Sequence, residues 1–112
     1  MAEWHQMTAL ELGAGIGVGR IDPVALAGHF QDRIARLDPE RRVYLRTTAA
    51  RAEAEAISAR QRAKAGSRLG PLDGVPISWK DLFDSAGTVT TGGSALFKDR
   101  VPARDARVLA RA

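Results

Sequence analysis

The sequence predicts an α/β arrangement in which N-terminal helices lead into a first strand, incomplete in this chain. Three observations predict it. Residues 8–66 are rich in helix-forming residues and carry helix start and stop signals. After Gly66 the texture changes to Gly, Pro, Ser and Thr, around an apolar run at 75–79 bounded by turn signals, the pattern of a buried strand. A fresh helical pattern then opens near Arg104 or Asp105. Residues 1–112 thus read as one domain fragment: a helical part at about 8–66, a strand and loop at 67–103, and the start of a helix at 104–112.

The first helix begins at Thr8. Thr8 and Glu11 form a T-x-x-E capping box, in which each side chain satisfies an amide at the helix start. The continuation "GAGIGVG" predicts a weak or frayed helix, because each interior glycine costs about 1 kcal/mol against alanine. A phosphate loop is excluded on spacing. Gly13 and Gly15 would need a glycine at Val18, no strand precedes, and no Gly-Lys-Ser/Thr follows. Asp22-Pro23 opens the second helix, an acidic N-cap before proline at the first helical position. Leu26, Phe30, Ile34 and Leu37 make its apolar stripe, and Asp38-Pro39 is expected to end it. His29 lies off that stripe and reads, like His5, as a surface residue without a second ligand at metal spacing. "RVYLRT" is β-prone and short, a strand or extended connector. Thr47 or Thr48 then caps an alanine-rich helix to about Ala65, with Gly66 its stop. Its only large apolar residue is Ile57, so it is expected to lie on a surface. The last helix has Val108 and Leu109 as its first apolar contacts. It meets no stop signal before Ala112, so the sequence reads as cut off.

Composition narrows the function classes. The hydrophobic fraction is 45%, but alanine supplies 20 residues and hides little apolar area. Net charge is +4, with 14 arginines against 3 lysines. The basic residues are interleaved with Asp and Glu and form no block, which favours solvated helix faces over a nucleic-acid patch. The few aromatics do not alternate with them, so no stacking platform is visible. The absence of cysteine excludes a disulfide framework and thiol chemistry and is compatible with a reducing cytosol. The N-terminus has no secretory pattern, and no apolar run approaches the ~18 residues of a membrane span.

The chemistry-bearing candidate is Lys80, in "GPLDGVPISWKD". It follows the predicted strand and precedes a loop of small residues, and α/β proteins place chemistry at strand ends. Desolvation penalises the ammonium form, so a buried lysine can serve as a base near neutral pH. The plainer alternative is a surface lysine paired with Asp81 or Asp84.

The stretch "GPLDGVPISWKDLFDSAGTVTTGGSALF" resembles the opening motif of the amidase signature family, G-P-L-x-G-V-P-x-x-x-K-D, then an apolar pair, D-x-x-G and T-T-x-G-S. "PARDARVLARA" is similar to the helix that follows it, and the segments from Thr8 onward to the family's N-terminal helices. The resemblance implies a mixed sheet packed between helices. It implies an amidase that cleaves carboxylic amides through a Ser–cis-Ser–Lys triad, with Lys80 the base that activates the nucleophilic serine through the bridging serine. Gly74, Val75 and Pro76 match the turn and strand that position the lysine. Thr90, Thr91, Gly93 and Ser94 match the loop that helps shape the site. Ser78, Ser85 and Ser94 do not match the nucleophile. Both triad serines belong to a Gly/Ser-rich segment well downstream of the lysine motif, and these 112 residues contain none. The resemblance therefore leaves this chain alone inactive. It implies no cofactor and no metal. Its partners are a small-molecule amide substrate and, in assembly, a second copy or amidotransferase subunits. It also implies a cytoplasmic enzyme; the charge pattern gives no direct evidence of nucleic acid, and the lack of a long apolar run gives none of a membrane. A narrower version is the glutamine-hydrolysing A subunit of a tRNA amidotransferase. The rival class is a non-catalytic remnant that keeps the motif as scaffold and binds a partner through a sheet edge or a basic helix.

Overall fold

The computed structural model describes residues 3–112; Met1 and Ala2, the first residues of the N-terminus read as lacking a secretory pattern, lie outside them. The chain divides into two compact units, one ending at Pro76 and the other spanning Ile77–Ala112.

The first unit is helical. A 3-10 turn at Trp4–Gln6 precedes α1 (Ala9–Gly17), α2 (Pro23–Arg41) and α3 (Ala49–Ala65), and α2 packs on α3. The capping box forms as the spacing predicts: Thr8 N–H donates to Glu11 Oε2 at 2.7 Å, and Glu11 N–H to Thr8 Oγ1 at 3.2 Å. The glycines of α1 are packing devices. A Cβ on Gly13 would stand 2.0 Å from the Pro71 carbonyl oxygen, and one on Gly15 would stand 2.5 Å from Ile21 Cδ1. The chain folds back after α1, with Arg20 and Ile21 donating to the Gly15 carbonyl. Helix propensity is given up here for close approach, and α1 keeps its helical form to Gly17.

Asp22 caps α2 by accepting from Val24 N–H, with Pro23 in the first turn. Pro39 does not end the helix. It sits inside the last turn, and α2 continues to Arg41. The end comes at Arg42, in the left-handed region, where the Asp38 carboxylate accepts from Val43 N–H at 2.7 Å and also from Tyr44 N–H. Asp38 thus closes the helix through its side chain, one turn later than the Asp-Pro signal suggests. Thr48 takes the N-cap position of α3 but makes no side-chain cap bond. Gly66 is the left-handed stop.

The core of this unit is Trp4, Leu12, Ile16, Ile21 and Leu26, with Met7, Phe30, Ala63 and Val75 against it. The stripe of α2 is buried at Leu26 and half-exposed at Phe30, Ile34 and Leu37. α3 buries Ala56 and Ala59, so its small side chains are its packing face. The two histidines are not simple surface residues. Both are half-buried, and their rings stack 5.6 Å apart, with Trp4 and Phe30 edge-on to His29.

The second unit has little regular structure: a 3-10 turn at Ala95–Phe97 and α4 (Arg107–Arg111), which starts later than the Arg104 or Asp105 of the sequence pattern. Here the α/β expectation fails. Among the described residues there is no strand. Residues 75–79 run without regular structure, but a strand exists only as part of a ladder, and no other segment pairs with them. Val75 is drawn into the helical core instead, and Ile77 and Trp79 are exposed. The nearest approach to pairing is two isolated bonds, Gly87 N–H to the Pro102 carbonyl and Thr90 N–H to the Arg100 carbonyl. Residues 42–47 likewise form a connector. The sheet edge expected of a scaffold protein is therefore absent among the described residues.

Candidate functional site

The approach to the lysine is built into the helical unit. Asp73 accepts two bonds from Arg62 of α3, from Nε at 2.8 Å and from the terminal nitrogen at 2.7 Å, and a third from Leu69 N–H at 3.0 Å. Its side chain is nearly buried, and the Arg62 bond holds its carboxyl below the usual carboxylate range, against desolvation that pushes it up. Arg68 extends the tie to α1. One of its nitrogens donates to the carbonyls of Gly13 at 2.9 Å, Asp73 at 3.2 Å and Pro71 at 3.3 Å. Gly74 has φ +98°, and a Cβ there would lie 3.2 Å from both Ile16 Cδ1 and Pro23 Cγ. Only glycine meets both demands, the left-handed turn and the narrow gap. The stiffness of "GPLDGVP" is thus the stiffness of a loop pinned to two helices.

Lys80 lies in the second unit. It is exposed, without the burial that the family's base would need, and among the described residues no carboxylate oxygen comes within ion-pair distance of it. The pairing with Asp81 or Asp84 expected of an ordinary surface lysine is not formed. Asp84 is held by Arg100, each of its oxygens accepting from one guanidinium nitrogen, at 2.7 and 2.8 Å. Arg100 holds the Asp84 carboxyl below its ordinary range. Asp81 turns to the following loop. One carboxylate oxygen accepts from Thr91 N–H at 3.0 Å, the other from the Thr91 hydroxyl, and its carbonyl accepts from Gly92 N–H at 2.6 Å. Lys80 opens the turn that carries Asp81, its carbonyl accepting from Phe83 N–H at 3.2 Å.

The matched loop residues have distinct places. Thr90 is buried, its hydroxyl donating to the Thr88 carbonyl and accepting from Ser85 N–H. Gly92 and Gly93 are both left-handed, and Ser94 caps the 3-10 turn through Leu96 N–H. A shallow cavity of about 280 Å³ is lined by Leu82, Thr90, Thr91, Gly92, Phe97 and Arg100. Trp79 meets Phe83 edge to face at 5.7 Å. Sequence reasoning misses Asp81, Thr91 and Arg100 as partners. The K-D and T-T spacings are visible, but nothing in them says that the two segments meet. Among the described residues no group of three or more His, Asp or Glu could hold a metal ion, and no helix is long and apolar enough to cross a membrane.

The family model described as Amidase matches residues 25–112. The A subunit of the glutamyl-tRNA(Gln) amidotransferase of Acidothermus cellulolyticus is 37% identical over 109 residues, covering 97% of this chain and 22% of that protein. Its namesake from Myxococcus xanthus is 38% identical over 103 residues, covering 92% and 21%. A chain of a solved structure, described as a vestigial protein complex that reveals the evolutionary origins of an s-triazine catabolic enzyme, superposes with a TM-score of 0.85 at 32% identity, covering 94% of this chain and 23% of that one. The chain therefore spans about a fifth of the length of the relatives it matches. With the family model covering residues 25–112 and the lysine motif inside that span, the chain belongs to the amidase signature family and matches the N-terminal portion of its members.

Proposed function

We propose that this chain supplies the lysine base of an amidase that hydrolyses carboxylic amides. What supports it is the place of Lys80 in the lysine motif, inside the matched span 25–112, with both neighbouring carboxylates bonded to other partners, Asp81 to Thr91 and Asp84 to Arg100. A neutral amine at Lys80 would take a proton relayed through a bridging serine, and so activate the serine that attacks the amide carbonyl. The amine leaves with a proton, and water then releases the acyl group as a carboxylic acid. The two serines would come from outside these 112 residues, which hold no Gly/Ser-rich run after Ser94. A small-molecule amide is the substrate, and a cytoplasmic setting goes with this reading.

The test is the protein produced from its native reading frame, with its intact mass measured first. Ammonia release from simple carboxamides should fall by roughly 10²- to 10⁴-fold in Lys80→Ala, the range of a lost general base. Activity within twofold of the unaltered protein would refute the assignment.

A second reading is the ammonia-producing component of an amidotransferase, with other subunits as partners. It is favoured by the two amidotransferase relatives, at 37% and 38% identity. Glutamine turnover that depends on added partner subunits would select it, and turnover of plain carboxamides by a lone chain or homodimer would select the first. The basic residues form no block in the sequence, and Arg51, Arg60, Arg62, Arg68 and Arg100 bond within the chain, so nucleic acid is not the favoured direct ligand.

A further inference from the structure

The loop after Lys80 is held in an unusual way. Gly92 and Gly93 have φ of +61° and +77°, yet a Cβ on either would meet nothing within 4 Å. Beside the bonds between Thr90 and Arg100, the loop is held by the bonding between Asp81 and Thr91. The Asp81 carboxylate accepts from both the Thr91 amide and its hydroxyl, and the Asp81 carbonyl accepts from Gly92 N–H. The Thr91 hydroxyl oxygen accepts in turn from Gly93 N–H at 3.1 Å. Three successive amides, from Thr91 to Gly93, are thus fixed through one aspartate and one threonine. That aspartate is covalently next to Lys80.

We propose that Asp81 is a positioning residue for Lys80, clasping the loop at 91–93 to the turn that follows the lysine. This rests on the reading of Lys80 as the base. The carboxylate presents one oxygen to an amide and the other to a hydroxyl, and so ties the backbone that carries the lysine to the loop. A catalytic group is effective only while its geometry is held, and small displacements are costly. The clasp contributes that restraint.

The test uses the protein from its native reading frame. Thr91→Val keeps the shape of the side chain and removes the hydroxyl, and Thr91→Ser restores it. Thr91→Val should lower kcat by roughly tenfold to a hundredfold with KM unchanged, the pattern of a lost positioning contact. Thr91→Ser should stay within about threefold of the unaltered protein. Asp81→Asn combined with Thr91→Val should be no slower than the slower single variant, because both open the same clasp. Amide exchange in the peptide spanning 88–97 should quicken in Thr91→Val and recover in Thr91→Ser. Unchanged exchange and kcat in Thr91→Val, beside an inactive Lys80→Ala, overturns the clasp alone. A fully active Lys80→Ala removes the base and overturns the positioning role with it, while the exchange data still report whether the loop is held.

Discussion

Two glycine-to-alanine substitutions should move stability in opposite directions, and the structure says why. Alanine is favoured over glycine in a helix interior by about 1 kcal/mol. At Gly28, on the exposed face of α2, a Cβ meets nothing within 4 Å, so Gly28→Ala should gain up to about that amount. At Gly13 the same Cβ would lie 2.0 Å from the Pro71 carbonyl oxygen and 3.1 Å from its carbon. Both are backbone atoms, so relief needs the 70–73 loop to move away from α1. Overpacking of this kind costs about 1–3 kcal/mol. The shift also loosens Arg68, which bridges the Gly13, Pro71 and Asp73 carbonyls, at a cost of about 1 kcal/mol more. Against the helical gain, the net for Gly13→Ala is a loss of about 1–3 kcal/mol. Thermal melts of the two variants beside the parent read this out, at roughly 4–8 °C for each kcal/mol in a domain of this size. A Gly13→Ala protein that melts at or above the parent would refute the close-approach account of α1.

Leu26, fully buried, should cost about 2–5 kcal/mol when cut to alanine, while Leu96, 88% exposed, should cost under about 0.5 kcal/mol by urea denaturation. Asp73 has a lowered folded-state pKa, so its contribution is fully present above the unfolded value of about 4 and is lost as pH falls through the lower folded value. Asp73→Asn should therefore destabilise the protein at pH 7 and flatten its loss of stability below pH about 4; an acid-unfolding profile with an unchanged slope would count against the Arg62 tie. Isolated 112-residue chain exposes Ile77, Leu82, Leu96, Phe97 and Val101, and should bind an apolar dye and aggregate as its concentration rises; a sharp, concentration-independent melt would argue otherwise.

Local signals are legible in the residues because their physics is local. The Thr8–Glu11 box, the Asp22-Pro23 start and the Gly66 stop each involve groups within a turn of one another, and each lies where the spacing puts it. Pro39 misleads because a helix can carry proline in its last turn when a side chain, here Asp38, takes over the closing bonds. The apolar run at 75–79 misleads for a different reason. An apolar run does not by itself make a ladder: only Val75 packs, partly buried, against the helical core, while Ile77 and Trp79 are exposed. The glycines of α1 look like a defect in the sequence because their value depends on Pro71 and Ile21, which approach only in three dimensions. Lys80 stands out in the sequence. Asp81 and Thr91, ten residues apart, do not, since no short-range rule joins them.

The lysine motif itself divides at Pro76 into residues with different work. Before it, Asp73, Gly74 and Val75 are accounted for by packing: a buried carboxylate tied to α3, a left-handed turn in a narrow gap, and a side chain in the core. These residues would be needed by any protein with this helical unit, whether or not it catalyses anything. After Pro76 the fold asks for much less. Lys80 is exposed and, among the described residues, makes no ion pair, and the clasp from Asp81 to Thr91 ties the loop at 91–93 to the turn after the lysine. The two halves should therefore respond differently to substitution. Changes at Asp73 or Gly74 should lower stability and activity together, whereas Thr91→Val should lower kcat while leaving the melting temperature within a few degrees of the parent. If Thr91→Val and Asp73→Asn lowered activity only in proportion to stability, the stretch from Lys80 to Ser94 would be scaffold as well, and the case for Lys80 as a base would lose its structural support.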